Sequence, residues 1–265
     1  MFISHNDAQL YTVEFGNGPR TIVAHGGWTG SWELWTEPFT ILSKTWRAVA
    51  YDHRGTGVTV APVETISFDA LVDDLFAVLD ALKIERCVLA AESAGVAIAL
   101  RAALAQPQRF DGLVLVDGAY YRPAPAQPSP FAIGLQKQFD QTIAQFVQAC
   151  IPPSEPNRAA IVEWGIKILR RATQASAIKL HELMDGVDLR AHVPTIQLPT
   201  LILHGALDVI QPPSASEWLA AQMPHAQLQI IPDAGHVPTM THPQLVANAI
   251  HSFFNQDFRL SFRTQ

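Results

Sequence analysis

Apolar residues recur along the chain in short runs, at 10–15, 21–24, 46–51, 86–90, 113–116, 200–203 and 228–231. Several of these runs are continuous rather than alternating, which is the pattern of strands covered on both faces. Between them lie segments with helical spacing, at 32–42, 68–82, 94–105, 215–222 and 243–254. The clearest is 68–82, where Phe68, Leu71, Val72, Leu75, Val78, Leu79 and Leu82 fall on one stripe behind a capping Ser67. Strand then helix, repeated, predicts an α/β fold built on a doubly wound, mostly parallel sheet.

The alternation breaks between about 120 and 198, where Pro123, Pro125, Pro128 and Pro130 cluster and helical segments follow without strands between them. Those segments are 131–149, 157–171 and 175–184, the first two separated by Pro152, Pro153 and Pro156. The expected organisation is a core of residues 1–119 and 199–265, interrupted by a helical cap over 120–198. A chain of 265 residues accommodates one such domain and its insertion. Helices inserted after a proline-rich hinge suit a lid over a strand-end crevice.

Composition narrows the function classes. With 48% hydrophobic and 16% charged residues the chain is not a disordered one. Eighteen Lys and Arg against 24 Asp and Glu give a net charge of −6 with no run of like charge, so no basic footprint for nucleic acid exists. The start has no cationic segment followed by an apolar stretch, and no long apolar run occurs later, so a cytoplasmic protein without membrane contact is expected. Cys87 and Cys150 read as free thiols in a reducing compartment. Ten histidines without H-E-x-x-H spacing, and cysteines without C-x-x-C, lead us to expect no metal and no cofactor. A small-molecule substrate is the expected partner, and the pattern does not fix an oligomeric state.

Candidate chemistry begins at Ala91-Glu92-Ser93-Ala94-Gly95, where an apolar strand runs into a serine flanked by small residues and then into a helix. A sharp strand-to-helix turn lifts a serine hydroxyl above the sheet and makes it a candidate nucleophile, although the same position also suits a helix N-cap. The pattern is A-x-S-x-G, with Ala91 where a glycine is usual. A serine needs a base and an orienting acid. His204-Gly205-Ala206-Leu207-Asp208 follows one strand and Asp233-Ala234-Gly235-His236 follows the next, which offers Asp208 and His236. Asp117, at the end of another strand, is the competing acid. His25-Gly26-Gly27-Trp28 follows the strand at 21–24, so the amides of Gly27 and Ala94 are candidate oxyanion donors. Asp52-His53-Arg54-Gly55-Thr56-Gly57 ends in glycines but lacks the phosphate-binding signatures. Trp28, Tyr120 and Trp164 are the candidate substrate-binding aromatics, and Arg54, near a helix start, is expected to face water.

HGGWTGSW, YDHRGTG, AESAG, LILHGALD and DAGH, in this order and with an insertion before LILHGALD, resemble the α/β-hydrolase superfamily, in particular its lidded esterase, lactonase and metal-free haloperoxidase-like branch. The resemblance implies Ser93 as nucleophile, His236 as general base and acid, Asp208 as orienting carboxylate, and hydrolysis of a hydrophobic or aromatic ester or lactone. Similar architectures host carbon–carbon bond hydrolases, cofactor-free dioxygenases and receptors that bind without turnover. Relatives with an aspartate nucleophile are disfavoured by Ser93. The tail at 255–265 lies outside the family pattern.

Overall fold

The computed structural model describes residues 1–255; of the tail at 255–265, all but Asn255 lies outside the described residues. The strands are β1 Phe2–His5, β2 Ala8–Phe15, β3 Arg20–His25, β4 Trp46–Asp52, β5 Cys87–Glu92, β6 Phe110–Val116, β7 Thr200–Gly205 and β8 Ala226–Ile231. They form one sheet in the order β1-β2-β4-β3-β5-β6-β7-β8, in which β2 alone runs against the others. Every residue of β5 and of β7 is buried, which explains their continuous apolar runs.

Helices α1 Thr36–Leu42, α2 Phe68–Ala81 and α3 Gly95–Ala105 alternate with the first strands. Helices α4 Pro130–Lys137, α5 Phe139–Cys150, α6 Arg158–Leu169 and α7 Gln174–Glu182 come between β6 and β7, where the insertion was expected. Helices α8 Pro213–Gln222, α9 Pro238–Thr241 and α10 Pro243–Asn255 complete the order. The Ser67 hydroxyl accepts from the Ala70 amide, 3.1 Å, and caps α2. Leu71, Leu75, Val78 and Leu79 of α2 pack with Val96, Ala99 and Leu100 of α3 on one face of the sheet. Trp35, Phe39 and Leu42 pack with Val246, Ile250 and Phe253 of α10 on the other. Cys87 and Cys150 are free and buried.

Three local differences from the pattern have physical causes. Strand β1 was not expected because, as an edge strand, it buries a single residue, Ile3, and so carries no apolar run. The segment 32–42 divides into a 3-10 turn, Trp32–Trp35, and α1. The segment 131–149 breaks at Gln138, whose φ of −145° and ψ of 53° are not helical. Its carbonyl accepts from the Thr142 hydroxyl, 2.9 Å, and Gly134 lies so close that a Cβ there would meet Thr142 Oγ1 at 2.5 Å. The break folds α4 back onto α5 and α7 instead of extending it away from them.

Arg54 does not face water: it is 2% exposed and grips Asp74 through Nε and Nη2 at 2.6 and 3.0 Å, with Nη1 on Thr65 Oγ1 at 2.7 Å. A bidentate pair with a third acceptor satisfies the buried guanidinium. It therefore anchors the loop after β4 to α2 and offers nothing to a substrate carboxylate. Asp52 closes the same loop by accepting from the amides of Trp32 and Val58, both at 2.9 Å. The glycines of that loop are structural: a Cβ on Gly57, at φ +54°, would lie 2.0 Å from Asp52 Oδ2.

Candidate active site

Parallel strands ending at one edge set the site there. At the end of β5, Ser93 takes a φ of +52°, a left-handed conformation that a non-glycine residue adopts only when its surroundings hold it. They do so here by three bonds: Ser93 N donates to the Val116 carbonyl at 2.8 Å, and the Ser93 carbonyl accepts from Val96 N and Ala119 N at 3.1 and 3.0 Å. Gly95 is required two residues on, since a Cβ would stand 2.3 Å from the Gly26 carbonyl oxygen. Ala91 is fully buried inside β5, where a methyl group fits without displacing the turn.

His236 and Asp208 reach Ser93 from the loops after β8 and β7. Gly205 lets these loops touch, because a Cβ there would meet the Gly235 carbonyl oxygen at 2.1 Å. His236 Nε2 lies 2.9 Å from Ser93 Oγ, and its Nδ1 lies 2.7 Å from Asp208 Oδ2. The other oxygen of Asp208 accepts from the amides of Ile210 and Gln211 at 2.7 and 3.0 Å. His204 ties down the same loop, donating from Nε2 to the Gln211 carbonyl at 3.0 Å and accepting at Nδ1 from Ser216 Oγ at 2.7 Å. The backbone amide of His236 donates to the carbonyl of Cys150 at 3.0 Å, which ties the histidine loop to the end of α5.

Asp117 stands behind these groups. Its Oδ1 accepts from the Gly205 amide at 3.0 Å, while Oδ2 is buried with no partner among the described residues. Burial, reinforced by the nearby Asp208, pushes its carboxyl well above the ordinary range. Asp117, Asp208 and His236 lie close enough together to suggest a cation site, but His236 Nδ1 and Asp208 Oδ2 already bond to one another.

Gly27 packs against the serine: a Cβ on it would lie 3.2 Å from Ser93 Cβ and 3.8 Å from Oγ. The Gly27 carbonyl accepts from His53 Nε2 at 3.0 Å, which fixes the loop that carries it. Ala94 leads into α3, and neither its amide nor that of Gly27 is engaged by another group among the described residues. Trp28 faces the cavities at the serine and donates from its indole to the Ala177 carbonyl of α7 at 2.8 Å. The other two aromatics expected to bind substrate do not line those cavities. Tyr120 is buried, stacked on Trp218 with its hydroxyl on the Ala215 carbonyl, and Trp164 packs against the core on α6. Their ring faces are spent on packing, the usual fate of aromatics at the root and in the helices of a cap.

The sequence reading gave no role to Glu92, although it precedes the serine in a buried strand. It is 2% exposed, and its Oε2 accepts from the Thr239 hydroxyl at 2.7 Å. Burial raises its pKa to about 7, opposed by the Thr239 hydrogen bond and by His236. An acid raised this way keeps its proton in the folded chain and releases it in the unfolded one. Stability is therefore full below pH about 4.5 and declines as pH rises to about 7, by about 3 kcal/mol in all. Glu92→Gln retains an oxygen for Thr239 and removes the titration. Urea midpoints should then show the variant gaining on the parent between pH 5 and pH 8, and parallel pH dependences would refute this.

A sheet of this order with a nucleophile-type elbow, an acid loop and a histidine loop at one strand edge defines an α/β hydrolase. The chain belongs to the serine aminopeptidase S33 family, whose model matches residues 22–240, and it is a hydrolase of the α/β superfamily. It is 30% identical over 246 residues to a putative carbamate hydrolase, RutD, of Caulobacter sp. (strain K31), an alignment covering 89% of this chain and 91% of that one. A pimeloyl-[acyl-carrier protein] methyl ester esterase of Nitrosomonas europaea is 27% identical, with 89% and 96% covered. Among solved structures, the enol-lactonase of Burkholderia xenovorans LB400 superposes with a TM-score of 0.88 at 21% identity, covering 96% of this chain and 99% of that one. Among the described residues no helix is long and apolar enough to cross a membrane.

Proposed function

We propose that the protein is a serine hydrolase that cleaves a carboxylic ester or lactone of a small molecule through an acyl-enzyme on Ser93. The observation that carries this reading is the continuous contact Ser93 Oγ, His236 Nε2, His236 Nδ1, Asp208 Oδ2, at 2.9 and 2.7 Å. His236 accepts the hydroxyl proton as Oγ attacks the carbonyl carbon, and the oxyanion that forms accepts from the amides of Gly27 and Ala94. Asp208 holds the Nδ1 proton and stabilises the imidazolium. Collapse breaks the bond to the alcohol oxygen, which leaves with the proton from Nε2. Water then repeats the sequence on the acyl-enzyme, releasing the acid and returning the serine. The likeness to an ester-cleaving relative supports the reaction class.

A fluorophosphonate probe and a panel of esters and lactones test the proposal together. Stoichiometric labelling at Ser93, located by peptide mass, with turnover that EDTA does not diminish, is the expected result. Labelling without turnover would assign a ligand receptor instead, and turnover that survives full labelling would remove Ser93 from the chemistry.

A further inference from the structure

Two spaces meet at Ser93, and they differ in size and in polarity. One is a small chamber of about 50 Å³ between the core and helices α5 and α6, walled by Leu34, Ile161, Leu169 and Met240. The other is a cleft of about 480 Å³ bordered by Arg122, His181 and Gln211. Trp28 and Phe146 line both, with ring centroids 5.3 Å apart at 77°, and so form the partition between them. Trp28 is fixed in that place by its bond to Ala177 and by edge contact with Phe131.

The chamber is mostly apolar, its polar lining being Thr29, Ser93, His236 and the carboxyl of Glu92, which stands beside the nucleophile. No lysine or arginine lines it, and its other titrating side chains are His236 and the thiol of Cys150, which burial keeps protonated. Facing Glu92 are His236 from the loop after β8, Thr239 from α9, Cys150 from α5 and Asp117 from the end of β6. None of these supplies a permanent cation that an anionic group could meet. An acid carried into this space would lose its hydration and gain no partner.

We infer that the substrate is an ester with two unlike arms, a short arm without negative charge that enters the small chamber and a larger arm that occupies the cleft, and that Glu92 is a specificity-determining residue for the short one. This inference rests on the serine hydrolase reading and deepens it. The cleft, by contrast, tolerates polarity, because Arg122 there is already paired with Asp185 and donates to the carbonyl of His181. Burial and the neighbouring Arg122 hold the His181 imidazole down at about 4, so it meets the larger arm uncharged at neutral pH.

Two ester series test this, one lengthening the acyl arm at a fixed methyl alcohol and the other lengthening the alcohol arm at a fixed acetyl group. In one series kcat/KM should fall by about tenfold for each methylene beyond the fit, while the other stays tolerant. On the steep side, Ile161→Ala should move the cut-off to longer arms, and a terminal carboxylate should be rejected against a neutral arm of equal length. Glu92→Gln, compared with the parent at pH 8, should weaken that rejection by about tenfold, a charge-selective change that loss of packing would not produce. Two equally tolerant series, or an unaltered rejection ratio in Glu92→Gln, would overturn the inference while fluorophosphonate labelling of Ser93 stands. Failure of the labelling itself would remove the underlying reading and this one with it.

Discussion

Ser93→Ala is expected to lower kcat by a factor on the order of 10⁶ and to abolish fluorophosphonate labelling, while the fold survives. The size follows from what is removed. Without Oγ no acyl-enzyme forms, and only the binding and oxyanion contributions of the site remain. The small effect on the fold follows from the local geometry. Alanine carries the same Cβ at the same φ of +52°, so the strain of the turn is unchanged, and the bonds holding it run through the Ser93 backbone. What is lost is one hydrogen bond to His236, which contributes about 1 kcal/mol. Turnover of the ester that the parent handles best, the label, and a circular dichroism melt decide the matter. Residual labelling in the alanine variant would assign the nucleophile elsewhere.

Much of this architecture was legible because strand-end motifs are short-range signals. The run Cys87-Val88-Leu89-Ala90-Ala91 before Ser93, and the paired strands before Asp208 and His236, fix both the elements and the edge at which they stop. Features decided by tertiary contact were not legible. Phe131 and Phe146 look like parts of one helix until the Gln138 turn folds the first against the second, with ring centroids 5.4 Å apart. Arg54 looks solvent-bound until Asp74, twenty residues later, is brought beneath it by α2. Tyr120 and Trp164 have the composition of a ligand pocket, and only the packing of Trp218 and the core shows their rings engaged elsewhere. Glu92 had one sequence signal, an acid at the end of a strand otherwise without charge. Its partner Thr239 lies 147 residues away, beyond the reach of any local pattern.

The choice between the two carboxylates is the second large effect. Asp208→Asn should reduce kcat by about 10³–10⁴ with the fold intact, whereas Asp117→Asn should stay within about tenfold of the parent. At Asp208 the negative charge is used: Oδ2 faces His236 Nδ1 at 2.7 Å, and Oδ1 takes two amides that lock the carboxyl in its loop. An asparagine there can keep the two amide bonds, but it brings no charge to the imidazolium and admits the wrong tautomer of the ring. Asp117 differs in each respect. It makes one hydrogen bond, to the Gly205 amide, and burial already disfavours its charge, so asparagine keeps the shape and removes a charge that the site does not stabilise. Its φ of +47° lies in the region where asparagine is among the best tolerated residues. Purified variants with matching melting curves, compared by kcat on one ester, give the ranking. A deeper loss in Asp117→Asn than in Asp208→Asn would transfer the orienting role to the acid at the end of β6.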